Sequence, residues 1–131
     1  MKKIMSNLDI WSGLNNFQYV FEKDMELVLP AKVSYVIQYN IQSLKEKYDL
    51  IEKSRETIGK KYGTFDEASS SYSIPSEKME LAEVELSQLM KVEQAVDILL
   101  LDLNDLDNCQ LTMAQMRAIL FMVKEPMEEW N

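Results

Sequence analysis

The sequence predicts a mainly α-helical single domain, residues 1–131, built around a long antiparallel, coiled-coil-like helical hairpin. Three observations carry this. Gly and Pro number only three each in 131 residues, too few turn-formers for a sandwich or barrel. A heptad ladder runs through Ile37, Ile41, Leu44, Tyr48, Ile51, Arg55, Ile58 and Tyr62, in steps that alternate four and three. A second, shorter ladder, Met79, Ala82, Leu86 and Leu89, follows a serine-rich linker. The chain is 47% hydrophobic, enough for one modest core.

Each element has its own signal. Over residues 7–21, Leu8, Trp11, Leu14, Phe17, Val20 and Phe21 form a helical stripe, weakened by Gly13 and the Asn15–Asn16 pair. A short helix results, whose large aromatics need a surface to cover. Leu29-Pro30 opens the long helix, residues 30–62, because proline suits a first turn that does not need its N–H. No proline interrupts Ala31 to Tyr62, and 32 residues at ~1.5 Å each make a rod of about 50 Å. Lys60, Lys61 and Gly63 mark its end, as cations and a glycine cap do. Residues 64–74 contain Ser69, Ser70, Ser71 and Ser73 and little apolar matter, so a mobile loop is expected.

The second helix, residues 76–91, is short and acidic, and folding back on the first is the economical arrangement. A symmetric hairpin sets Ile58 near Met79, Ile51 near Leu86 and Tyr48 near Leu89. Arg55 then falls near Ala82 and Glu83. An arginine in an apolar ladder calls for a carboxylate, with Glu83 or Glu80 the candidates, unless it reaches out to water. Val96, Leu100 and Leu103 would extend the helix, yet residues 95–101 also read as a strand with Val96, Ile98 and Leu100 on one face. A lone strand needs a partner, and Lys3-Ile4-Met5 is the plausible one, giving a small two-stranded β element. The C-terminal helix, residues 112–123, starts on a Thr112–Gln115 capping box with a Leu111–Met116 staple and ends at Pro126.

Composition narrows the chemistry. The chain has no His, hence no ordinary general base near neutral pH and none of the commonest metal ligand. Its one cysteine, Cys109, can form neither an internal disulfide nor a cysteine-rich zinc site. It reads as a packed or idle thiol in a reducing compartment. Asp102, Asp105 and Asp107 resemble loose calcium-loop spacing, but the glycine and distal glutamate of that loop are missing. No Gly-rich phosphate loop or nucleophile elbow occurs. No catalytic, cofactor-binding or metal-binding residues are expected, and no enzyme.

Charge and length bound the partners. Residues 1–65 hold ten Lys/Arg against eight Asp/Glu, a balance of +2; residues 66–131 hold four against fourteen, −10, which together make the net −8. An acidic half repels phosphate backbones, so direct nucleic-acid binding is not expected. It suits a basic protein surface instead, and Glu77, Glu80, Glu83 and Glu85 are the candidate acidic surface. No apolar stretch approaches the ~20 residues of a membrane span. A cytoplasmic protein is the expectation. The long helix also has Val33, Tyr35, Val36 and Tyr39 beside its ladder. Ladder surface left uncovered would meet another copy or another protein, and a homo-oligomer is expected.

The order of parts resembles a family of short proteins of unknown function from phages and prophages of Gram-positive bacteria. The resemblance lies in Leu29 to Tyr35, Asn40, Leu44, Ile51-Glu52, Arg55 and Lys61-Tyr62. It resumes after the loop in Glu85-Leu86, Val96-Asp97-Ile98, Leu103, Leu106, Leu111-Thr112, Gln115-Met116, Ala118-Ile119 and Phe121-Met122. The serine-rich loop departs from the family pattern. The resemblance implies a phage origin, a host-cell location and a strand near Ile98; it implies no activity. The functional expectation is a non-catalytic phage protein that binds a host factor, such as an inhibitor of a defence nuclease in the manner of an anti-CRISPR protein. The alternative is a self-associating structural or assembly protein.

Overall fold

The computed structural model describes residues 1–22 and 27–124. Pro126, expected to end the last helix, lies outside them. The chain runs β1 (Lys2–Ser6), α1 (Asn7–Phe21), α2 (Ala31–Tyr62), β2 (Thr64–Asp66), β3 (Ser71–Ser73), α3 (Ser76–Lys91), β4 (Glu93–Asp97) and α4 (Met113–Ile119). Two 3₁₀ turns, Leu103–Leu106 and Leu120–Met122, flank α4. The protein is mainly helical, with two small two-stranded sheets among the described residues.

Local chemistry sets the helix ends. The Ser6 hydroxyl accepts the Asp9 N–H at 3.1 Å and starts α1. Thr112 and Gln115 form the reciprocal box that starts α4. α2 follows an extended Pro30 and ends at Gly63 with Lys60 and Lys61 in its last turn. Gly63 is extended rather than left-handed. Its small size is what counts, because a Cβ there would sit 2.8 Å from the Ser73 carbonyl.

All eight ladder positions of α2 are buried or half-buried: Ile37, Leu44 and Ile51 fully, and Ile41, Tyr48, Arg55, Ile58 and Tyr62 partly. Different segments meet the rod along its length. Near its C-terminal end, Ile58 and Arg55 share a cavity of ≈ 180 Å³ with Met79, Ala82, Glu83 and Leu86 of α3. In its middle, Tyr48 donates to Asn15 at 2.8 Å and Glu52 accepts the Trp11 indole N–H at 2.6 Å, both from α1. α1 thus takes the place beside Tyr48 that a symmetric hairpin gives to Leu89. Near the N-terminal end, Tyr39 and Asn40 meet residues 97–99.

The ambiguous apolar run resolves as a strand that stops early. β4 pairs antiparallel with β1, in the register Lys2↔Asp97, Lys3↔Val96, Ile4↔Ala95. The strand covers Glu93–Asp97 rather than 95–101, and the backbone beyond it bonds elsewhere. Ile98 N–H reaches the Met1 carbonyl at 2.9 Å, and Leu101 exchanges bonds with Met122 and Lys124 at 2.7 and 2.9 Å. Between them, Leu99 is held by a side chain. The Asn40 amide accepts the Leu99 N–H at 2.8 Å and donates to the Leu99 carbonyl at 2.9 Å. Asn40 is 0% exposed, its amide also lies 3.4 Å from the Met122 sulfur, and Ile98, Leu101 and Met122 are all fully buried. A buried asparagine here substitutes for a neighbouring strand. Asn7 does similar work, donating to the Leu89 carbonyl at 2.9 Å and accepting from Gln94 at 2.6 Å, so that α3 ends against the start of α1.

The linker is not a bare loop. β2 and β3 form an antiparallel hairpin, with Phe65 opposite Tyr72 and their rings edge to face at 5.3 Å. Asp66 accepts the Ala68 N–H at 3.0 Å to shape the turn, and Ser70 takes the left-handed conformation, φ 54°. The Tyr72 ring lies on Gly59, a position the heptad reading passes over. A Cβ at Gly59 would come within 2.8 Å of that ring. Two aromatics and one glycine thus order a segment whose serine content argues for disorder.

Two outcomes are expected. Asn40→Ala strands both Leu99 backbone groups in an apolar site and lowers unfolding free energy by about 2–5 kcal/mol in urea titrations, with Asn40→Leu at least as damaging. Gly59→Ala destabilises the chain although alanine favours helix by ~1 kcal/mol. In a Tyr72→Ala background the same change becomes neutral or stabilising, because the clash is gone.

Candidate functional site

α3 is the helix least committed to the core. Ala82 is its only fully buried residue. Glu77, Glu80, Leu81 and Val84 are all exposed, and their spacing of i, i+3, i+4 and i+7 places them on one face. Leu81 is 57% exposed and Val84 51%. The face therefore combines two carboxylates with two bare aliphatic side chains, an arrangement suited to a surface that is both basic and apolar. Glu83 is also exposed, toward the side of α3 that meets Arg55.

The fourth acid of the expected surface is turned inward. Glu85 is half-buried and accepts the Lys61 ammonium at 3.0 Å. The Tyr62 hydroxyl and then the Lys61 ammonium hold its carboxyl below the usual glutamate range. It fastens α3 to the end of α2, because its place on the helix falls on the side facing those residues. Of the shorter ladder, Leu86 and Leu89 are half-buried, whereas Met79 is 40% exposed at the outer end of the contact.

Arg55 is also placed differently from expectation. Its ion pair is with Glu52, one turn earlier on its own helix, at 2.9 Å. Its guanidinium lies 4.6 Å over the Trp11 ring. Glu52 receives both Arg55 and the Trp11 N–H, so the three side chains form one cluster between α1 and α2. The partner comes from i−3 and a tryptophan instead of from Glu80 or Glu83, because the planar cation is better satisfied by a ring face and a carboxylate together.

The aspartates after β4 have structural partners. Asp102 and Asp105 cap the first 3₁₀ turn, with the Asp102 N–H donating to Asp105 at 2.9 Å. Asp105 pairs with Lys32 at 3.0 Å and Asp102 with Lys124 at 3.2 Å. Among the described residues, no group of three or more His, Cys, Asp or Glu is placed to hold a metal ion. Cys109 is half-buried, with its sulfur 3.8 Å from the Asp105 carbonyl. Burial, with a smaller effect from Asp105, pushes its thiol up and disfavours the reactive thiolate. No helix of the described residues is long and apolar enough to cross a membrane.

One charged contact links α2 to β4. The Tyr39 hydroxyl donates a hydrogen bond to Asp97. That bond holds the Asp97 carboxyl below the usual aspartate range and raises the Tyr39 hydroxyl. The α3 aliphatic residues Leu81 and Val84 are what sequence reasoning overlooked. Their signal was available, since both fall outside the Met79–Leu89 ladder.

The pH dependence has a definite sign. A carboxyl depressed by folding adds stability above its unfolded value and loses it as pH falls through the folded one. Asp97, Asp105 and Glu85 are all depressed, so melting temperature should drop below about pH 4. Asp97→Asn should make that drop shallower. Tyr39 is raised, so its contribution persists below the ordinary tyrosine value and disappears as pH climbs above about 10. Tyr39→Phe should flatten the alkaline limb of the same melting series.

No family model, curated protein sequence or solved structure matches this chain.

Proposed function

We propose that the chain is a non-catalytic protein-binding protein that docks the outer face of α3 on a basic surface of a host protein. The observation that carries this reading is the exposed pairing of Glu77 and Glu80 with Leu81 and Val84. Carboxylates alone would serve solubility. Aliphatic side chains beside them add burial that a partner surface can use, while the charges steer the encounter and select a basic groove. A groove that ordinarily holds nucleic acid has that character, so an inhibitor of a host nucleic-acid-binding protein, such as a defence nuclease, is the role the surface suits best. The resemblance to phage proteins agrees with such a role and with action inside a bacterial host cell.

The rod supports the face. α2 and α3 are read as the arms of an antiparallel hairpin, coiled-coil-like over its distal part. The Lys61–Glu85 pair and the cavity shared by Ile58, Met79, Ala82 and Leu86 support that arrangement. Such an anchor keeps the outer face rigid, which lowers the entropy lost on binding. Self-association through the α2 ladder is the weaker reading, because every position of that ladder is at least half-buried within one chain.

Affinity capture from bacterial lysate tests this, with the full chain compared against a Glu77→Lys/Glu80→Lys/Leu81→Ser variant. The expected result is a basic nucleic-acid-binding protein retained by the unaltered chain, with capture weakened about tenfold or more by the triple change and by high salt. The purified chain should also lower that protein's affinity for nucleic acid. Equal capture by both chains, or a captured protein whose nucleic-acid binding is unaffected, would reject the reading.

A further inference from the structure

The opposite charge balance occurs at β1. A groove of ≈ 940 Å³ is lined by Lys2, Lys3 and Ile4 on one side, Leu120, Phe121 and Lys124 on the other, with Leu100 and Leu103 also in its walls. Three lysines thus rim an apolar trough in a protein of net charge −8. Ile4, Leu103 and Leu120 are each at least 50% exposed.

The trough follows a strand edge. Lys2, Lys3 and Ile4 are consecutive, and neighbouring residues of a strand point to opposite faces. A groove that touches all three therefore runs along the edge of β1. No residue of β4 lines it, so it is the edge away from β4. The antiparallel ladder fixes which backbone groups face there. Met1 accepts from Ile98 and Asn7 donates to Val92, so residues 1, 3, 5 and 7 bond toward β4. By alternation, Lys2 and Ile4 direct their N–H and C=O groups outward. Among the described residues no hydrogen bond to these outward groups is present.

The lysines are available in different degrees. Lys2 is exposed. Lys124 holds Asp102 at 3.2 Å in a pair that is about half exposed on both sides, and such pairs are weak. Lys3 is half-buried and donates to the Phe121 carbonyl at 3.0 Å.

We propose that this groove binds an extended, acidic, apolar peptide segment of a partner protein, which adds as a strand to the outer edge of β1. Main-chain bonds to Lys2 and Ile4 supply the pairing, the trough takes alternate apolar side chains, and the lysines take the intervening carboxylates. This site is separate from α3 and does not rest on the role given to that helix.

The probe is an acetylated peptide of about eight alternating glutamate and valine residues, with its lysine–valine counterpart as control. Binding to the full chain is followed by calorimetry and by amide hydrogen exchange. The acidic peptide should bind, the basic one should not, and exchange at Lys2 and Ile4 should slow. Lys2→Glu/Lys124→Glu should weaken binding about tenfold or more. Ile4→Pro removes an outward N–H without touching the bonds to β4, is tolerated on an edge, and should abolish binding. Equal binding of both peptides, binding that leaves Lys2 and Ile4 unprotected, or no binding at all would overturn the proposal. So would protection of these amides that rises with protein concentration alone, since a second copy would then be the occupant.

Discussion

One side-chain amide decides whether this fold can close. The stretch after β4 leaves the sheet and enters the core, and between Ile98 and Leu101, which find backbone partners in Met1, Met122 and Lys124, Leu99 has no neighbouring strand to bond. Asn40 answers the middle of that stretch from the opposite side, meeting both the N–H and the C=O of Leu99. Without it, burying Ile98 and Leu101 would leave Leu99's polar groups unpaired in an apolar site, at a cost that cancels much of the gain. The position of Asn40 on α2 therefore fixes where the β4 segment crosses the rod. That in turn fixes β1, which pairs with β4, and the segment 122–124, which pairs with Leu101. Asn7 repeats the device at the other end of the sheet, tying Leu89, Val92 and Gln94 to the start of α1.

What was legible in the sequence were the features governed by nearest neighbours and period. The spans of α1 and α3, the extent of α2 and the Thr112–Gln115 cap follow from ladders and caps, whereas period left residues 95–101 open between helix and strand, and the strand reading rested on the resemblance. The readings that went astray depended on what a single residue touches across the fold. The serine-rich linker hides a hairpin because Phe65, Tyr72 and Gly59 act together, and no local property of the linker records that Gly59 lies beneath it. Arg55 sits where an acidic helix was expected to answer it, yet Trp11, distant in sequence, offers its ring. Asn40 stands beside the heptad ladder with nothing in its surroundings on the chain to mark it as the clasp for Leu99.

The candidate surface was half visible for the same reason. Carboxylates declare themselves in composition, so Glu77, Glu80 and Glu83 could be nominated directly. Which acid turns inward is a question of helix rotation, and Glu85 is claimed by Lys61 and Tyr62. The aliphatic component of the face, Leu81 and Val84, looks like ordinary core until α3 is seen to bury Ala82 alone. The groove beside β1 joins residues near 3, 101 and 121, three separate stretches that no local pattern could bring together.

The pairing of β1 with β4 has a consequence for how the protein is made. Lys2 and Asp97 are partners, so the first strand leaves the ribosome about ninety residues ahead of the segment that completes it. Closing a contact of that span is slow relative to forming helices, whose bonds are local. α1 and α2 can therefore take shape during synthesis while β1 stays unmatched, its aliphatic residues open to capture by chaperones or by other nascent chains. The sheet is small, yet it cannot close until residue 97 has been translated.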